Sequence, residues 1–65
     1  MRDIEIQTIW HTASEQCEIV FGQFIGYHVR LWISGRLILD ELMADAPAAI
    51  ARAWQLRNEW PQLVD

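Results

Sequence analysis

The stretch Tyr27-His28-Val29-Arg30-Leu31-Trp32-Ile33-Ser34-Gly35-Arg36-Leu37-Ile38-Leu39-Asp40 reads as a β-hairpin, and the turn chosen inside it decides the fold. With Ile33-Ser34-Gly35 as a three-residue loop and Gly35 at positive φ, Trp32 opposes Arg36, Leu31 opposes Leu37 and Val29 opposes Leu39. Tyr27, Val29, Leu31, Leu37 and Leu39 then share one face, and His28, Arg30, Trp32, Arg36, Ile38 and Asp40 share the other. A two-residue Ser34-Gly35 loop mixes apolar and polar residues on both faces. Because register follows the hydrophobic pattern, the three-residue loop is expected.

Downstream, Ala44-Asp45-Ala46-Pro47 carries a helix-start signal, with Pro47 suited to the first helical position and Asp45 placed to cap. Ala46, Ala49, Ile50, Ala53, Trp54, Leu56 and Trp60 fill one side of the wheel that follows, and Arg52, Gln55, Asn58 and Glu59 fill the other. Pro61 is expected to end the helix, since the residue before a proline leaves the α region. Arg57 lies inside the apolar stripe, where its stem can pack while its guanidinium reaches a carboxylate at the sheet edge or meets a partner.

Upstream, Ile4 and Ile6 alternate with Glu5 and Gln7, the period-2 pattern of a half-buried strand, and the alternation blurs at Ile9-Trp10. Residues 11–16 are small and polar and read as a turn. The segment from Cys17 to Gly26 has two competing readings. Ile19, Val20, Phe21, Phe24 and Ile25 favour a strand. Helical spacing of Cys17, Val20, Phe21, Phe24 and Ile25, with Thr12 and Glu15 as a capping box, favours a helix. The strand is preferred, because Gly22 costs a helix interior about 1 kcal/mol relative to alanine and can host a bulge in a strand.

Together these elements predict a single α+β two-layer domain: an antiparallel sheet of three to four strands (approximately 3–10, 17–25, 27–33 and 36–42) with one C-terminal amphipathic helix (approximately 47–60) packed on one face. A chain of 65 residues buries only about 60% of its unfolded surface, so its stability is expected to be small. One cysteine, Cys17, cannot form an internal disulfide, and dense packing of Trp10, Trp32, Trp54 and Trp60 or oligomerisation must compensate.

Composition narrows the function classes. The net charge is −4, there is no lysine, and Arg2, Arg30, Arg36, Arg52 and Arg57 are dispersed. Neither nucleic acid nor an anionic membrane is the expected partner. Apolar runs are four residues or shorter, against the roughly 20 that span a bilayer, and residues 1–5 lack a signal-peptide hydrophobic segment. A cytoplasmic location is expected.

No motif fixes a chemistry, and no metal or cofactor is expected. His11 and His28 lack the spacing of a metal site, and His28 is expected to face Asp40 as an ordinary cross-strand pair. Cys17 reads as a small core residue. Asp40, Glu41 and Asp45 read as a solvated rim and helix-start charge, since Leu42-Met43-Ala44 interrupts any calcium-loop pattern. An enzyme would have to draw on His11, His28 and Cys17, and is not expected.

Trp32 on the polar hairpin face, with Arg30, Arg36 and Ile38 around it and Arg57 on the helix, forms the candidate interface. Trp32 can equally pack under a neighbouring segment or stack on Arg36. The expected function is a non-enzymatic protein-interaction module that self-associates, as a homodimer, through a sheet edge or the exposed hairpin face. The alternative is an accessory or regulatory subunit, such as an antitoxin-like inhibitor or an enzyme modulator. That comparison rests on layout alone, and no residue is carried over.

Overall fold

The competition over the second segment resolves in favour of a strand. In the computed structural model, which describes residues 4–63 and their side chains as far as Glu59, Glu15–Gly22 pairs on both sides and is buried from Cys17 to Val20. A helix could not bury four consecutive residues without neighbours all round, whereas a central strand does so when both sheet faces are covered locally. Thr12 and Glu15 do bond to each other, but only one bond of a capping box forms, the one from the Glu15 amide. The Glu15 amide donates to Thr12 Oγ1 at 3.0 Å and the Thr12 hydroxyl to Glu15 Oε1 at 3.1 Å. They close the turn into a strand instead of starting a helix, with the Thr12 amide donating to the Glu15 carbonyl at 2.8 Å.

The strands β1 (Ile4–His11), β2 (Glu15–Gly22), β3 (Gly26–Ile33) and β4 (Arg36–Met43) form an antiparallel meander in the order β1-β2-β3-β4. The helix α1 (Ala46–Leu63) packs on one face. This is the expected α+β two-layer architecture, with several boundaries moved. β2 ends at Gly22, which pairs with Gly26, so Phe24 and Ile25 belong to the connecting loop and Phe24 stands 88% exposed at its tip. Gly22 hosts no bulge. Gly26 has φ +78°, which calls for glycine, and a Cβ there would lie 3.2 Å from Leu42 Cδ1, the tip of an exposed side chain that would have to give slightly.

The hairpin register differs from expectation. Ser34 (φ 50°) and Gly35 (φ 79°) form a two-residue turn that pairs Ile33 with Arg36 and Trp32 with Leu37. Positive φ at both positions is the type I′ geometry, whose twist matches that of the strands. The expected mixing of faces is avoided by an irregularity beyond Leu37: Leu31 pairs with Leu39, leaving Ile38 as the extra residue. Leu37 therefore lies in the row of Trp32, and Leu39 joins Val29 and Leu31 on the helix side. Arg36 does not oppose Trp32.

β1 contains the same device. Ile9 is skipped between the pairs Thr8–Glu18 and Trp10–Cys17, so the strand changes phase where its alternation blurs. Ile4 and Ile6 lie in rows facing away from the helix, while Trp10 enters the core.

Trp10, Cys17, Ile19, Val29 and Leu31 from the sheet and Ala49, Ala53 and Leu56 from the helix make up the core, with Tyr27, Ile33, Leu39 and Met43 at its margin. The fully buried alanines let the helix backbone approach closely enough for Trp10 Nε1 to donate to the Ala53 carbonyl at 2.7 Å. Phe21 and Tyr27 stack across β2 and β3 with ring centroids 4.3 Å apart. Asp45 caps the helix as expected, its Oδ1 accepting from the Ala48 amide at 2.9 Å. Pro47 sits one residue inside the helix start, and the helix continues through Pro61 to Leu63. Pro61 removes a single backbone bond, the one to the carbonyl of Arg57, at an exposed residue where water can take its place. The Trp60 side chain lies outside the described residues. Ile50 and Trp54, expected on the buried side, are 44% and 48% exposed, because the helix meets the sheet along the narrow stripe of Ala49, Ala53 and Leu56.

Candidate functional site

The sheet face opposite the helix is built from rows of cross-strand partners. One row is Ile6–Val20–His28–Leu42, the next Thr8–Glu18–Arg30–Asp40, and the last His11–Gln16–Trp32–Leu37. An uncovered antiparallel face is ordinarily polar. Here Ile6 is 61% exposed, with Ile4 two residues along the same edge strand, and Leu42 is 67% exposed on the opposite edge, while Val20 is buried between Ile6 and His28.

The middle row is charged and largely internally satisfied. Asp40 Oδ1 accepts from His28 Nδ1 at 2.9 Å, and Asp40 Oδ2 accepts from Arg30 Nε at 3.2 Å. The expected His28–Asp40 contact is therefore made, but diagonally, since Arg30 is the residue directly opposite Asp40. His28 Nε2 stands 2.8 Å from the Ile25 carbonyl, so both ring nitrogens face acceptors. The hydrogen bond from His28 holds the Asp40 carboxyl below its ordinary value; partial burial opposes this and Arg30 adds to it. On the helix side Arg52 clamps Glu41, Nε to Oε1 at 2.7 Å and Nη2 to Oε2 at 3.3 Å, which lowers the Glu41 carboxyl against a smaller opposing effect of burial.

Both carboxyls bind protons more weakly in the folded chain than in the unfolded one. Their stabilisation is thus present above the unfolded pKa of about 4 and lost as the pH falls through the lower folded values. The urea midpoint is expected to hold between about pH 7 and 5 and to drop between about pH 5 and 3. In Asp40→Asn/Glu41→Gln the drop should be smaller; an unchanged acid profile would remove these pairs from the account.

Trp32 is half-buried. Its Nε1 donates to Glu18 Oε2 at 3.0 Å, and Gln16 Nε2 donates to Glu18 Oε1 at 3.1 Å. Of the expected alternatives, packing on the Cys17 segment is the one observed. Glu18 is only 7% exposed, and a lone glutamate between Cys17 and Ile19 gave no sequence signal for this. Trp32, Glu18 and the 12–16 segment enclose a polar cleft of about 320 Å³. Its walls present carboxylates, hydroxyls and an indole face, which suits a hydrogen-bond donor or cationic group.

The five candidate interface residues do not form one surface. Arg30 is paired with Asp40, Trp32 with Glu18, Arg36 is exposed at the hairpin turn, and Ile38 is exposed at the β4 irregularity. Arg57 is on the other layer, its guanidinium 5.4 Å from the centre of the Trp10 ring. It stacks on an indole, and among the described residues it reaches no carboxylate.

The groups an enzyme would need are also separated. Cys17 is fully buried in the core on the helix side, whereas the His11 and His28 rows belong to the opposite face. Burial, aided by the charge of Glu18 and opposed by Arg52, pushes the Cys17 thiol up to about 11, so it is held as an inert core group. Among the described residues no cluster of three or more His, Cys, Asp or Glu could hold a metal ion, and no helix is long and apolar enough to cross a membrane. Comparison of the chain with known protein families, curated proteins and solved structures finds no match.

Proposed function

We propose that this chain is a small non-enzymatic protein-interaction module that associates with itself. The observation that supports it most is the pair of exposed aliphatics on β1 at the edge of the uncovered sheet face, where Ile4 and Ile6 stand in place of polar residues. Grouped exposed aliphatics of this kind mark contact surfaces. Sedimentation equilibrium from low to high micromolar concentration is the test. A concentration-dependent shift from one chain to two is expected, and a single-chain mass throughout would overturn the self-association.

The cleft beside Trp32 favours a second reading, an accessory subunit that receives a basic side chain of a larger protein between Glu15, Glu18 and the indole. Loss of a partner on Trp32→Ala, in a protein that stays folded, would select it.

A further inference from the structure

We propose that two copies of this chain join edge to edge through β1, antiparallel about a two-fold axis at Ile6, to make one continuous eight-stranded sheet. The inference rests on the self-association reading above and names its interface.

The strand order leaves two edges, β1 and β4, and they are not equivalent. β4 is interrupted at Ile38, carries Arg36, Asp40 and Glu41, and has Arg52 drawn from the helix onto Glu41. Charges and irregularities of this kind keep an edge from pairing. β1 has no such protection from Ile4 to Thr8: it runs in register with β2 up to the break at Ile9, all five residues are exposed, and Glu5 is its one charge. An unguarded run of backbone donors and acceptors takes another strand.

The sequence of that run fits itself. Paired residues must share a sheet face, so a two-fold axis normal to the sheet passes at a residue and not between two. At Ile6 it sets Ile6 against the partner's Ile6, Glu5 against the partner's Gln7, and Ile4 against the partner's Thr8. All five residues pair, and no like charges meet. An axis at Glu5 opposes two glutamates, which is unfavourable, and an axis at Gln7 drives the pairing into the Ile9 irregularity. On β4 the centre of the regular run is Glu41, which would oppose its own copy.

Side chains above and below the edge point the same way. The axis keeps both open faces on one side, so Ile4 and Ile6 of the two copies merge into a single apolar strip. On the helix side Ile50, with Glu5, Gln7 and Phe21, lines a groove of about 260 Å³, and Trp54 lies one turn further along the same flank. The joint thus places apolar side chains from both layers of each copy beside the other.

The test compares the parent chain with Ile6→Lys, Leu42→Lys, Ile6→Cys and Leu42→Cys by sedimentation equilibrium and non-reducing electrophoresis, with folding checked by circular dichroism. Leu42 is as exposed as Ile6 and on the same face, but on the other edge strand. Ile6→Lys is expected to weaken the dimer by about tenfold or more, and Leu42→Lys to leave it within about threefold. Oxidised Ile6→Cys should give a disulfide-linked dimer with the parent's mass in solution, while Leu42→Cys should not. A parent that is monomeric throughout overturns the self-association reading and this inference with it. A dimeric parent that survives Ile6→Lys, or fails to cross-link through Ile6→Cys, overturns the β1 joint alone.

Discussion

Leu31→Ala is expected to cost about 4 kcal/mol, near the top of the range for leucine truncations, and to leave a large fraction of the chain unfolded without denaturant. Leu31 is fully buried on an inner strand, with Cys17 and Leu39 on either side of it in the same row. Those neighbours are fixed by the backbone ladder, and the facing helix surface is alanine at Ala49 and Ala53. Little can move in to fill the space, so the cavity term stays large. A domain of this length has a total stability of roughly 3 to 10 kcal/mol, of which such a loss is a major part. Urea unfolding followed by circular dichroism measures it, with Leu42→Ala as the exposed comparison, expected within about 0.5 kcal/mol of the parent. A Leu31→Ala loss below that of Leu42→Ala would mean that the core lies elsewhere.

Trp10→Ala is expected to cost about 3 to 5 kcal/mol, and for a different reason. Trp10 is the residue through which an edge strand reaches the helix. Its ring is buried in the core, its N–H donates to the Ala53 carbonyl, and its face supports the Arg57 guanidinium. Trp10→Phe keeps an aromatic ring and loses the hydrogen bond, worth about 1 kcal/mol, so it should fall between parent and alanine. Arg57→Ala removes an exposed cation–π contact and should cost about 0.5 to 1 kcal/mol. The order parent, Arg57→Ala, Trp10→Phe, Trp10→Ala in urea midpoint is the expected result. Equal midpoints for Trp10→Phe and Trp10→Ala would show that the ring contributes nothing beyond its N–H.

The antiparallel sheet and the helix are legible because period-2 and period-3.6 patterns dominate Tyr27–Leu31 and Ala46–Leu56, whereas the sequence leaves three or four strands open. The register is not legible. Pattern matching assumes that alternation continues through a strand, and each edge strand here changes phase once, at Ile9 and at Ile38. The blurred alternation at Ile9-Trp10 was a visible trace of the first change. At Ile38 the apolar run Leu37-Ile38-Leu39 masks the change, and a three-residue loop is what unbroken alternation requires. Ile50 and Trp54 were placed inward because a helical wheel shows which side is apolar, not how narrow a stripe the sheet can cover. Among the candidate site residues, the packing of Trp32 on the Cys17 segment is one of the readings the sequence offers. The burial of Glu18 and the stacking of Arg57 on Trp10 depend on contacts distant in sequence, which no local pattern encodes.

The meander has a kinetic consequence. Every strand pairs with the next one in the chain, across connections of two or three residues, so the sheet assembles by local hairpin closures, each on the order of microseconds. The hydrogen bond from Trp10 to Ala53 spans 43 residues, and its loop closes only after the hairpins have brought Trp10 and the start of the helix together. Docking of the helix on the first strand is therefore the late event in folding, and its release the early event in unfolding.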